Sequence, residues 1–578
     1  MKVQKKIGIL KGKILAGRGE IPSDLVLRGG RIVNVFSGRV QVSDVAVHKG
    51  SVVGLGAGYQ GRREAHLEGK WVVPGLIDGH LHIESSMLIP SRLAFALLPW
   101  GTTALISDPH EIANVMGLQG IRFMLRESRR IPMDIYFMAP SCVPATHLET
   151  SGAHITASDL RRLRTQPRIL GLAEMMNYPG VLGGVQEVME KLILFQEGLI
   201  DGHAPALAGR DLQAYLSAGI RSDHETFDRK IGLEKVNSGM MLMIREGSSA
   251  KNLEELIPLV TQENWFRFCF VSDDLHPGDI LRRGHLNFMI QKGIRLGMDP
   301  VTAVRLATIS PAVHFGLRDR GAVAPGYRAD LVVLEDLDSF SVEAVYKDGR
   351  LVAEKGNVCV PYRKQHSNEE ARSMNVPPLT PEDFRIPARR GRARIMELVP
   401  GQITTRVRFE AVKTEGGYAR SDTDADILFM AVVERHRGSG RIGRGLVRGF
   451  GLKSGALASS VAHDSHNIIA VGVRDRDLCR AVMELREMGG GMVAATADEV
   501  LARVPLEVAG LMTAAPIEEL DRQLEDIRRA TSTLGCRIPE PYMVLSFLAL
   551  PVIPELKLTD MGLVDVNRFD LVPLFDEG

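Results

Sequence analysis

Eight apolar runs recur across the middle of the chain, about residues 74–320, and helix-patterned segments separate most of them. In order they are VVPGLID, TTALISD, DIYFMAP, RILGLAE, GLIDGH, GIRSDH, MMLMIRE and FCFVSDD. Short continuous apolar runs of this kind fit parallel strands buried on both faces. Intervening stretches such as VQEVMEKLILFQEG and NLEELIPLVTQEN carry helical periodicity instead. Eight strand–helix units in about 250 residues is the size of a (β/α)8 barrel of the TIM type. An open doubly wound sheet is the competing arrangement. Its dinucleotide-binding version is disfavoured, because no GxGxxG joins a strand to a helix here.

The flanks have a different character. Residues 1–73 hold short Val- and Ile-rich runs with turn signals at Gly29-Gly30, Ser37-Gly38 and Lys49-Gly50, and the same style returns over 321–362. The two pieces are expected to form one small composite β-sandwich from both ends of the inserted barrel. Residues 363–398 are polar, charged and Pro-containing and read as a linker. Residues 399–578 are expected to be an additional C-terminal α+β domain, strand-rich at first and then helical, as in PIEELDRQLEDIRRATSTLG. A chain of 578 residues is too long for one core, so several units are required.

Charge and composition exclude several partners. The formal net charge is +1, so no global field favours nucleic acid or an anionic membrane. The Arg/Gly-rich stretch Glu434–Gly455 has one aromatic, Phe450, while Ile442, Leu446, Val447 and Leu452 recur through it. It therefore reads as a hairpin with a solvated basic face rather than a single-strand binder. No segment approaches the ~20 consecutive apolar residues of a membrane span. The basic N-terminus precedes too short an apolar run for a signal peptide. Five scattered cysteines without a CxxC pair fit a reduced compartment. The expected location is the cytoplasm, and the expected assembly a homo-oligomer.

The chemistry sits at the ends of the apolar runs. The first ends in His80 and His82, which period-2 alternation places on one strand face. The second ends in Asp108, followed by His110 and Glu111. The fourth ends in Glu174, the fifth in His203, the sixth in His224 and Glu225, and the eighth in Asp273 and Asp274. In a parallel barrel these ends converge on one mouth. Singly, each has an ordinary alternative as a hydrogen-bonded loop residue or a helix cap. Together, four histidines and two carboxylates suffice for two divalent metals, with a carboxylate able to bridge them. Asp108 and His110 are candidates to support the ligands from behind. His463, Asp464 and His466 form an HDSH run far downstream. That run is either a turn with exposed polar groups, a loop that closes over the barrel mouth and excludes water, or a third metal position.

The order of these residues resembles the metal-dependent amidohydrolase superfamily, with HxH after the first strand, a bridging residue on the fourth, His on the fifth and sixth, and Asp on the eighth. The motifs GLIDGHLHIESSM, DPHEIANV, AEMMNYPGV, DGHAP, SDHE and FVSDD, with SSVAHDSHNIIAVG and GGGM later, narrow the resemblance to the adenine deaminases of microbes. It extends from about residue 24 to the C-terminus.

The resemblance implies hydrolysis of adenine to hypoxanthine and ammonia, a purine-salvage reaction, by a water whose pKa two metals lower towards ~7. It implies His80, His82 and Asp273 at one metal, His203 and His224 at the other, and Glu174 between them. Many relatives bridge with a carboxylated lysine. This chain has no lysine between Lys70 and Lys191, so either Glu174 bridges or no protein group does. Asp273 would take the proton of the water and pass it to the leaving amine. Glu84, Glu225 or Asp274 would protonate a ring nitrogen. Ser85 and Ser86 would hydrogen-bond the purine, or else cap the helix that follows. Mn2+ or Fe2+ is expected ahead of Zn2+, although His and carboxylate ligands accept all three. Two other functions compete: an amidohydrolase acting on a related purine or cyclic amide, and a non-catalytic barrel scaffold.

Overall fold

The computed structural model describes residues 2–364 and 373–576. Each of the eight apolar runs contains a β-strand: Leu76–Leu81, Thr102–Ser107, Asp134–Ala139, Ile169–Met175, Leu199–Gly202, Ser222–Asp223, Met241–Arg245 and Phe268–Val271. The first five form one parallel sheet in chain order, and the last three form another. Most of their residues are buried on both faces, as parallel strands covered by helices must be. Hydrogen bonds join the two sheets at both edges. Arg221 N–H donates to Ile200 O at 3.0 Å, and Leu81 is bridged to Asp273.

The first run divides. Trp71–Pro74 leaves the parallel sheet and pairs antiparallel with Leu331–Leu334, so that only Leu76–Leu81 is the first parallel strand. Gly75 makes the passage, where a Cβ would lie 2.2 Å from Thr103 Oγ1. The segment NLEELIPLVTQEN, expected to be helical throughout, holds only Leu253–Leu256 and a 3-10 turn, Ile257–Leu259. Pro258 has no N–H to continue the helix and biases the residue before it away from helical geometry.

Strands from both flanks form one nine-stranded, mostly antiparallel sheet. Leu25–Asn34, Arg39–His48, Ser51–Leu55, Glu64–His66 and Trp71–Pro74 come from the N-terminal side. Leu331–Leu334, Val342–Lys347, Arg350–Glu354 and Asn357–Val358 complete it. A second nine-stranded sheet begins at Arg392–Leu398 and is covered by the helix Asp475–Met488. The expected linker 363–398 is corrected accordingly. Residues 365–372 lie outside the described residues. Val376, Phe384 and Ile386 are buried in the core of the second sheet, and Arg392–Leu398 is one of its strands. Polar composition concealed the few apolar anchors.

Within Glu434–Gly455 the strand Ile442–Arg448 pairs with Ile427–Val433 upstream, so the hairpin there takes its first strand from outside the stretch and is not contained in it as expected. Its basic face is not wholly solvated, because Arg435 is fully buried and donates to Ala509 O at 3.0 Å and to His466 O. The two halves of the chain share one apolar core, in which Met87, Leu88 and Ile89 join Val508, Met512 and Leu545. Among the described residues no helix is long and apolar enough to cross a membrane.

Candidate metal centre

The six residues expected as ligands come together at the strand ends. His82 shows the logic. Its Nδ1 lies 3.1 Å from Asp108 O, a carbonyl that can only accept, so Nδ1 carries the proton. Nε2 then faces Asp273 Oδ1 at 3.2 Å and Glu174 Oε1 at 3.4 Å. A lone pair pointing at two carboxylate oxygens requires a cation or a second proton between them. His80 Nε2 stands 3.5 Å from Asp273 Oδ1 and is buried without a hydrogen-bond partner.

Glu174, at the end of the fourth strand, divides its carboxylate. Oε2 lies 2.7 Å from His203 Nδ1 and 3.2 Å from His224 Nε2, while Oε1 faces His82 and, at 3.7 Å, His110 Nδ1. Burial pushes this carboxyl up, but His224 above all, with hydrogen bonds from His203, His224 and His82, holds it well below the usual range. Lys191, the first lysine after Lys70, donates to Ser141 O at 3.0 Å and to no group of the centre. Ligand atoms of His80, His82 and Asp273 lie within 4.8 Å of one another, as do those of His80, Glu174 and His224. His203, His224 and Glu225 form a third such set, and His82, Asp108, His110 and Glu174 a fourth. Imidazoles and carboxylates crowded together with buried, unmatched polar atoms form a donor set that fits two divalent cations sharing Glu174.

Asp108 and His110 lie directly against the centre. Both Asp108 carboxylate oxygens and His110 Nδ1 are buried without hydrogen bonds. Burial alone would depress His110, but the Asp108 carboxylate at 3.3 Å pushes it up to about 10.

Three supports escaped the sequence. Arg245, at the end of the seventh strand, grips both Glu225 oxygens at 2.5 and 3.0 Å and also donates to Asp273 Oδ2. Burial raises the Asp273 carboxyl, yet Arg245, with His80 and His82, holds it well below its ordinary value. Lys235 is fully buried and donates to Asp223 Oδ2 at 3.1 Å and to Ala204 O. Asp223 in turn accepts from Ala204 N–H at 2.7 Å, so one cation fixes the residues beside His203 and His224. His285 Nε2 lies 2.8 Å from Asp78 Oδ2, and Asp78 accepts from His80 N–H and from Ser272. The acids preceding each ligand, Asp78 and Asp223, were the available signal.

The expected substrate residues sort differently. Glu84 Oε1 accepts from Ile112 N–H at 3.1 Å, Oε2 is buried without a partner, and burial pushes the carboxyl above its ordinary value. Glu84 and Ser85 line a cavity between the parallel strands and the C-terminal half, and Ser85 Oγ donates to Asp274 at 2.5 Å. Two expectations are corrected. Ser86 turns its hydroxyl onto Ile83 O at 2.6 Å and closes its own turn, so it neither faces the cavity nor caps the helix Pro90–Leu97. Glu225 has both oxygens engaged by Arg245 and is not placed to give up a proton to a substrate. The HDSH run is not an exposed turn: His463, Asp464, Ser465 and His466 are all buried, and His463 lines the cavity beside Glu111 at 3.4 Å.

Comparison with known proteins places this geometry. The amidohydrolase family matches residues 71–352, and the adenine deaminase C-terminal domain matches residues 402–570. An adenine deaminase of Desulfatibacillum aliphaticivorans is 51% identical over 565 residues, 97% of this chain and 99% of that one. One from Methanothrix thermoacetophila is 47% identical over 567 residues, 98% of this chain and 99% of that one. Adenine deaminase 2 of Carboxydothermus hydrogenoformans is 46% identical over 566 residues, with the same coverage. With the ligand set assembled and both halves matched in order, the chain belongs to the adenine deaminase family of the amidohydrolases.

Proposed function

We propose that this chain hydrolyses adenine to hypoxanthine and ammonia at a binuclear centre held by His80, His82, Glu174, His203, His224 and Asp273. The observation that carries the reading is the division of the Glu174 carboxylate, one oxygen towards His82 and the other towards His203 and His224. The two parallel sheets are read as arcs of one closed (β/α)8 barrel, supported by the Arg221–Ile200 and Leu81–Asp273 contacts at the two seams. When bound, two divalent cations supply Lewis acidity and a water acidified towards neutrality. Mn2+ and Fe2+ are the preferred ions, and five cysteines that form no disulfide with one another fit a cytoplasmic setting.

The residues of the chain do the rest. Asp273, with Oδ2 fixed by Arg245 and Oδ1 facing His80 and His82, is the residue we assign to accept a proton and hand it to the departing amine. Glu84, with an unpartnered oxygen at the cavity wall, is the acid for a purine ring nitrogen. Ser85, held by Asp274, borders the same space.

The test is apoprotein reconstituted with Mn2+, Fe2+ or Zn2+ and assayed on adenine, cytosine, guanine, adenosine and a dihydropyrimidine. Two equivalents per chain should restore ammonia release from adenine. Glu174→Ala should bind one equivalent or none and lose at least about 100-fold in activity, beyond the 10–100-fold typical of outer partners. Turnover of the dihydropyrimidine in place of adenine would overturn the substrate, and full activity after chelation would overturn the centre.

A further inference from the structure

The HDSH run belongs to the C-terminal half, yet it borders the same cavity as Glu84 and Ser85. The cavity has one wall from the turn and helix that follow the first two parallel strands, including Glu84, Ser85 and Glu111, and an opposite wall from the C-terminal half, including His463 and Tyr542. The two walls are fastened together beside the HxH turn. Thr513 N–H donates to Met87 O at 2.8 Å, Ile89 N–H donates to Thr513 O at 3.1 Å, and Arg92 Nε donates to Ala514 O at 2.7 Å. Anything bound in this cavity, which begins two residues after His82, therefore meets residues of both halves.

His463 is presented there with unusual care. Its ring stacks on Phe547 with centroids 4.8 Å apart and planes 21° from parallel. Its backbone N–H donates to Ser546 O at 3.2 Å, and Nδ1 stands 3.4 Å from Glu111 Oε1. Although only 8% of the residue is exposed, no hydrogen bond to its imidazole nitrogens is found among the described residues. The residue lines the cavity together with Glu84, Ser85 and Glu111. Burial pushes the imidazole below its ordinary value, which keeps it neutral and leaves it one donor and one acceptor.

The turn beneath it is locked. His466 is fully buried, its N–H donates to Ala462 O at 2.7 Å, and its Nδ1 accepts from Ala462 N–H at 3.2 Å. Asn467 donates to Thr150 O at 2.8 Å, and His436 Nε2 donates to Ser465 O at 2.7 Å. This excludes a lid that swings. It also argues against a third cation on Glu111, His463 and His466, although their ligand atoms lie within 4.8 Å of one another. With Nδ1 accepting from the backbone, the neutral His466 ring carries its proton on Nε2, the nitrogen a metal would need.

We propose that His463 binds the substrate: the C-terminal half supplies a fixed imidazole that hydrogen-bonds a ring nitrogen of the purine held against Glu84 and the metal centre. Glu111 and Phe547 orient that ring, and His466 is a positioning residue for the turn. The inference rests on the adenine-deaminating reading of the same site and deepens it.

The experiment compares the metal-loaded full chain with its His463→Leu and His463→Asn variants, measuring kcat, KM, metal content and thermal midpoint. Leu keeps apolar bulk against Phe547, and Asn restores a donor and an acceptor. KM for adenine should rise tenfold or more in His463→Leu with kcat changed less than threefold, metal content unchanged and the thermal midpoint held. His463→Asn should recover part of the KM loss. An unchanged KM in His463→Leu, or no recovery with Asn, overturns the proposal, and so does the loss of one metal equivalent in either variant. The wild-type protein is the control that separates the two readings. If it fails to release ammonia from adenine when loaded with metal, the underlying function falls. If it is active and His463→Leu binds adenine normally, only the role of His463 falls.

Discussion

At the scale of single residues, Arg245 decides how the centre is charged. Its guanidinium engages Glu225 bidentately and Asp273 Oδ2 at once, inside a site that already holds Glu174. Removing one partner of a buried ion pair leaves the other uncompensated, at a cost of about 3–5 kcal/mol. Arg245→Met should therefore lower the unfolding free energy measured by urea titration by that order. Arg245→Lys restores charge but not a planar fork with several donors. It should recover stability while kcat at saturating Mn2+ stays down about 10–100-fold, the usual loss when support for metal ligands is disturbed. Equal recovery of both quantities would show that charge alone matters. The contrast with the ligands explains what was readable in the chain. His80, His82, Glu174, His203, His224 and Asp273 each terminate an apolar run, and polarity at the end of a buried strand is a visible break of pattern. Arg245 also closes such a run, but a cation there reads as solvated. Nothing local reveals that it reaches back to the ends of the sixth and eighth strands.

At the scale of elements, the helix Arg229–Asn237 shows why supports are harder to read than ligands. Lys235 lies in its last turn, where a lysine ordinarily faces water and complements the helix dipole. Here it is buried and joins Asp223, Thr226 and Ala204, the segments on which His203 and His224 are mounted. Lys235→Met should destabilise the fold by about 3–5 kcal/mol, since Asp223 remains buried beneath it. It should also weaken metal affinity about 10–100-fold without touching a ligand, which competitive titration with a chelating dye would register.

The turn that carries His463 has a comparable prop. Burial, together with the Arg435 guanidinium, pushes the His436 imidazole down to about 3 while its Nε2–H serves Ser465 O. Above about pH 6.5 the ring is neutral in both folded and unfolded chains and contributes no pH dependence. As pH falls from about 6.5 towards 3, the unfolded chain takes up a proton that the folded one refuses. Stability is then lost at no more than about 1.4 kcal/mol per pH unit. Denaturation midpoints across that window should fall more steeply for the wild-type protein than for His436→Gln, which keeps a donor but does not titrate. Parallel slopes would remove His436 from the account.

At the scale of the whole molecule, the chain reads as separable pieces and folds as interlocked ones. The polar stretch after residue 363 and the change of pattern near 399 both point to an independent C-terminal unit. Yet Met87, Leu88 and Ile89, directly after the HxH turn, share one apolar core with Val508, Met512 and Leu545, and Thr513 exchanges backbone hydrogen bonds with that turn. Farther along, Thr150 donates to the buried Asp560 at 2.8 Å from its backbone and 2.6 Å from its hydroxyl, and Thr559 donates to Leu148 O at 2.7 Å. Pairings between residues more than 400 positions apart leave no periodic trace in a sequence, which is why the pieces were legible and their junction was not. The junction has a thermodynamic consequence. Units joined by a shared apolar core and buried hydrogen bonds should unfold together, because exposing either half strands the other's apolar face in water. Calorimetry of the metal-loaded chain should give one cooperative transition. A chain ended at Pro361 should fail to accumulate in soluble form, since the Met87–Ile89 turn would lose the surface that covers it. Two resolved transitions, or a soluble fragment that binds two metal equivalents, would show instead that the C-terminal half rests on an already stable barrel and contributes only to the pocket.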